Sequence, residues 1–122
     1  MVSVNQAKFT KLQKDYLKFE KEYNKVNDRL SERDYDDAVI EESLIEERRN
    51  VLHELLEIKS KLIGMLDFIE LKMPDKKEKY EKLLGELNKV LPKRIQEHNH
   101  LVDAFNRDAK SNDYYDNWKV EF

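Results

Sequence analysis

The chain has 122 residues, one domain's worth of polypeptide with little room for a second independent core. Charged residues make up 40% of it against two Gly and two Pro. That balance favours long helices over a sandwich, a barrel or a Gly-rich disordered chain, and the absence of cysteine excludes disulfides and thiolate metal sites. No stretch reads as a signal sequence or approaches a membrane span, so the expectation is a soluble, unprocessed chain in the cytoplasm.

Phe9, Leu12, Tyr16, Phe19, Tyr23, Val26 and Leu30 follow one another at alternating spacings of three and four. This is a heptad seam, and with Ser3 and Gln6 as a capping box it predicts a first helix over about residues 4 to 30. Several of the seam positions carry aromatic rings, where tight two-stranded zippers prefer Ile, Val and Leu, so a bundle fits better than a simple dimeric zipper. Residues 31–37 break the seam and offer capping side chains, which sets a turn and a second helix starting near Asp34 or Asp36.

The second helix should carry a wider stripe of Val39, Leu44, Ile45, Leu52, Leu55, Leu56, Leu62, Ile63, Leu66, Ile69 and Met73, with a bend favoured at the weak helix former Gly64. Pro74 ends it. The third stripe holds Tyr80, Leu84, Leu87, Leu91, Ile95, His98, Val102, Phe105 and Ala109. Pro92 lies inside this stripe and cannot donate its backbone hydrogen bond, so a kink is expected there, or a split into residues 75–90 and 92–110. These elements predict an all-α fold, an antiparallel up-down-up three-helix bundle of coiled-coil-like packing over residues 1–110. Residues 111–122 form a polar tail bearing Tyr114, Tyr115, Trp118 and Phe122, read either as an arm on the bundle or as a partner-binding segment.

The string His98-Asn99-His100 resembles a nuclease motif in spelling only. Successive helical residues diverge by about 100°, so these two imidazoles point about 200° apart and cannot share an ion. His98 falls on the core stripe instead, and if it is buried, replacement by Leu should stabilise the chain in acid. Glu97 and His100 make one Glu-x-x-His pair of the kind used in di-iron bundles, but Asn50 precedes His53 where a second acid would be needed. Two glycines cannot build a phosphate-binding loop, and no nucleophile, base and orienting acid can be aligned. No cofactor, metal or catalytic residue is therefore assigned, and the chain reads as a non-enzyme.

Charge is unevenly spread. Residues 1–30 carry seven Lys and Arg against four Asp and Glu, whereas residues 31–58 carry three against ten. Lys11, Lys14, Lys18, Lys21 and Lys25 recur opposite the apolar seam as a ridge, an alternative site for nucleic acid or an anionic surface, although the formal charge of −3 works against such binding. The expected function is a helical protein-protein interaction module, a regulator, inhibitor or assembly component able to self-associate through its seams. Pro74-Asp75, Glu86-Leu87 and the run from Asn99 through Val102 to Asn106 resemble the later helices of the LemA family of membrane-anchored bacterial helical proteins. The resemblance is confined to residues 74–106, departs at His98 where that family has tyrosine, and transfers no residue role.

Overall fold

A computed structural model describes residues 4–32, 38–108 and 119–120, and among the described residues every regular element is helical, with no strand. Helix α1 spans Val4–Glu32, α2 spans Ala38–Ile63, α3 spans Leu66–Lys72, and α4 spans Lys77–Asp108 after a 3-10 turn at Pro74–Lys76. Among the described residues no helix is long and apolar enough to cross a membrane. The turn expected before α2 and the capping residue Ser3 lie outside the described residues.

The heptad seam of α1 is its inner face. Phe9, Leu12, Tyr23, Val26 and Leu30 are buried, and Tyr16 and Phe19 are half-buried against the same core. The long second element divides at Gly64, so that α2 ends at Ile63 and a short α3 follows Met65. This break corrects part of the expected stripe. Ile63 and Leu66, which flank it, turn outward at 55% and 40% exposure, while Val51, Ile58 and Met65 join the buried set. Val39, Phe105 and Ala109 lie outside the described side chains.

α4 runs as a single helix through Pro92, which overturns the expected split into two helices. Pro92 and Asn88, the residue one turn earlier whose carbonyl the proline cannot pair, are both exposed. Solvent can satisfy that carbonyl, so the missing hydrogen bond does not end the helix.

The packed core has two parts. The larger apolar cluster includes Phe9, Leu12, Tyr23, Leu52, Leu55, Leu62, Ile69, Tyr80, Leu87, Leu91 and Ile95, and the smaller holds Val26, Leu30, Leu44, Ile45 and Val102. Each draws on α1, α2 and α4. Tyr80 closes one end of the larger cluster, with its ring tilted against Phe9 and its hydroxyl donating to the Leu62 carbonyl at 2.5 Å. Leu62 lies in the last turn of α2, where backbone acceptors outnumber helical donors. The carbonyl receives a second hydrogen bond from the Met65 amide at 3.0 Å, so Tyr80 pins the α2 terminus from the neighbouring helix.

Burial raises the pKa of Tyr80, with Glu70 adding to it, and burial likewise raises that of Tyr23. A phenol kept neutral in the fold ionises near pH 10 once the chain unfolds. Its contribution to stability is therefore intact below about pH 10 and is lost as the pH rises towards the folded value. Urea melts should show wild type losing stability between about pH 8 and about pH 10.5. Tyr80→Phe should cost about 1 kcal/mol at the lower pH and show a smaller alkaline loss.

Candidate functional site

The two apolar clusters are separated by polar side chains. On α2, Arg48 lies between Ile45 and Leu52, and on α4, His98 lies between Ile95 and Val102. Both are buried, at 5% and 0% exposure. Arg48 Nε donates to His98 Nδ1 at 3.0 Å, and Arg48 Nη1 donates to Asn27 Oδ1 on α1 at 3.1 Å. One guanidinium thus joins all three long helices. Its remaining nitrogen, Nη2, is buried with no hydrogen-bond partner among the described residues.

This layer fixes chemistry as well as position. Because Nδ1 accepts a hydrogen bond, His98 is the neutral tautomer with its proton on Nε2. Protonating Nδ1 would replace an acceptor by a donor and set two cations side by side. Burial pushes the Arg48 guanidinium below its ordinary pKa, and the Tyr23 phenol and Glu97 carboxylate act in the opposite sense.

A second polar contact lies one turn away. Arg94 on α4 donates through both terminal nitrogens to the Glu20 carboxylate on α1, at 2.5 and 2.9 Å, with both side chains mostly buried. Its guanidinium also stacks 4.3 Å from the centre of the Tyr23 ring. Burial opposes the Arg94 charge, but the hydrogen bonds to Glu20 and that carboxylate's charge prevail and raise its pKa above the ordinary value.

On either side of this bridge the seam between α1 and α4 opens into two clefts of about 360 and 370 Å³. The first is lined by Gln13 and Tyr16 of α1 with Lys79, Lys82, Leu83 and Glu86 of α4. The second is lined by Tyr23, Asn24 and Asn27 with Lys89, Lys93 and Glu97 among others. Four lysines recur along this side of α4 at helical spacings and outnumber Glu86 and Glu97, giving the seam a net positive wall.

The far side of α4 holds a different feature. Asn99 Nδ2 donates to the Val120 carbonyl at 2.9 Å, and Asn99 Oδ1 accepts from the Val120 amide at 2.8 Å. Lys119 Nζ lies 2.6 Å from Asp103 Oδ1. The Val120 side chain is buried and belongs to the larger apolar cluster.

The residues singled out from sequence fare differently. Lys11, Lys14, Lys18, Lys21 and Lys25 are all exposed along α1, and Lys18 also sits over the Phe19 ring at 5.3 Å. Tyr114, Tyr115, Trp118 and Phe122 lie outside the described residues. Glu97 and His100 are both exposed, and no group of three metal-binding side chains occurs among the described residues. Nothing in the sequence pattern marks Asn27, Arg94 or the pairing of Asn99 with Val120. Arg48 had a visible signal, since it follows Leu44 and Ile45 and precedes Leu52 at core spacings. No family model matches the chain, and no curated protein or solved structure is significantly similar to it.

The exchange of His98 for Leu, favourable in acid from the sequence alone, carries a cost at neutral pH because Arg48 Nε loses its acceptor. In urea melts at neutral pH, His98→Leu should lose about 1 to 3 kcal/mol. His98→Asn, which keeps an acceptor near Nδ1, should retain more stability, and the pair Arg48→Met with His98→Leu should return close to wild type. A single Leu variant as stable as wild type would show that the contact contributes nothing.

Proposed function

We propose that this chain is a non-enzymatic helical interaction module that binds a partner protein along the open seam between α1 and α4. The reading includes an up-down-up arrangement of three long helices with one domain's core. It is supported by pairings that run in the same order along α1 and α4, Phe9 with Tyr80 and then Glu20 with Arg94. Along α2 the order reverses, since Leu62 meets Tyr80 whereas Arg48 meets His98.

The observation that carries the proposal is the pair of clefts on that seam. A bundle of three helices leaves a position where a fourth can lie against two neighbours, and here the buried Leu83 and half-buried Tyr16 provide an apolar floor. Lys79, Lys82, Lys89 and Lys93 rim it, so the partner that fits is an amphipathic helix with acidic flanks. Self-association is the variant in which a second copy supplies that helix. The buried polar groups support a structural role for this layer, Arg48 pairing with His98 and Arg94 with Glu20.

A second reading rests on the five exposed lysines Lys11, Lys14, Lys18, Lys21 and Lys25, which could lie along nucleic acid or an anionic surface. One experiment separates the two. Full-length wild type, a seam variant (Lys82→Glu, Lys89→Glu, Lys93→Glu) and a ridge variant (Lys14→Glu, Lys18→Glu, Lys21→Glu) are used to capture proteins from the native host, and each is titrated with duplex DNA, RNA and anionic vesicles. The proposal expects a protein held by wild type and the ridge variant but lost by the seam variant, with sedimentation showing whether that protein is a second copy. Loss of nucleic-acid or vesicle binding in the ridge variant alone, with no protein specific to the seam, would replace the proposal by the second reading.

A further inference from the structure

We propose that Asn99 and Asp103 form a docking shelf for an extended peptide carrying a basic residue followed by a β-branched apolar residue, and that the chain's own Lys119 and Val120 occupy it as an internal ligand. None of the shelf's residues lines the seam described above, so this site goes beyond that reading and does not depend on it.

The two hydrogen bonds of Asn99 go to the amide and the carbonyl of one residue, at 2.8 and 2.9 Å. That is the exchange by which antiparallel strands pair, with a side-chain amide standing in for the strand edge, and it selects extended backbone at that one residue without reading its side chain, the chain bending at Lys119 just before it. Side-chain selection comes from the surroundings. The valine is 1% exposed within the apolar cluster, a seat that suits a compact branched side chain. Asp103, one helical turn beyond Asn99, takes the preceding lysine at 2.6 Å.

The shelf also extends further than the two residues described on it. An open cleft of about 390 Å³ continues along α4, lined by Pro92, Gln96, Asn99, His100 and Asp103. From Pro92 to Asp103 is roughly 16 Å at 1.5 Å per residue, the reach of about five extended residues. A partner's segment longer than these two residues can run along this cleft, and those contacts offset the effective concentration of a tethered competitor.

The test uses full-length chains and a fluorescein-labelled peptide with the sequence of residues 116–122, phenylalanine replacing the tryptophan. Trp118, the chain's one tryptophan and the neighbour of Lys119, then reports on the tail by its own emission. Val120→Asp vacates the seat, and this variant should bind the peptide about tenfold or more tightly than wild type, the factor expected when a competitor fills the site nine-tenths of the time. Adding Asn99→Ala should abolish the gain, and a peptide with Glu in place of its Lys should bind several-fold more weakly. In wild type, saturating peptide should shift Trp118 emission as the tail leaves. If Val120→Asp fails to fold by circular dichroism, Lys119→Glu, which opposes Asp103 and leaves the valine in place, carries the same comparison. Equal peptide affinity with and without Asn99, or no binding to any folded variant, overturns the proposal.

Discussion

The hydrogen bond from Arg48 to His98 is the constraint on which the arrangement of helices depends. Apolar seams tolerate sliding, because one leucine contact substitutes for another a turn away at modest cost. A buried guanidinium does not. Arg48 has two hydrogen-bonded acceptors, one on α1 and one on α4, and a shift of either helix by a turn would leave a charge in the core with less to hold it. The polar layer therefore penalises a change of registry. It also splits the core into two apolar clusters, so that neither can grow into the other by rotation of a helix.

Outside this layer the same helices carry further polar contacts. The Arg94 and Glu20 bridge joins α1 to α4 through two long side chains. That leaves clefts on both sides of the bridge and a basic wall of lysines beside a partly apolar floor. On the other side of α4 the same rigid helix presents Asn99 and Asp103 one turn apart, as an edge for extended chain. The two binding proposals thus use different faces of one scaffold.

Much of the fold was legible because its signals are local. The heptads of α1 place its inner face, and Gly64 marks the end of α2. The errors have physical reasons. A proline on the exposed face of α4 frees a carbonyl that water can satisfy, so the composition signal for a break did not make one. A single helical period carried across the break misplaces Leu66, whereas Ile63 stands next to the buried Leu62 on the outer face of α2. His98 was placed inward from the period alone, but what it touches was not legible. Its partner lies 50 residues away, and although the core spacing of Arg48 turns it inward, no local pattern pairs it with His98. The Asn99 clamp spans 21 residues and has no period at all.

The central claim, that a neutral His98 accepts a hydrogen bond from buried Arg48 and thereby ties α2 to α4, is tested most directly by the imidazole nitrogens themselves. A long-range proton–nitrogen correlation spectrum of the ¹⁵N-labelled chain at neutral pH reports the tautomer of each histidine. The structure predicts a single His98 form with its proton on Nε2 and Nδ1 accepting, together with a slowly exchanging Arg48 Nε proton. A His98 protonated on Nδ1, or a mixture of tautomers beside a rapidly exchanging Arg48 Nε proton, would contradict it.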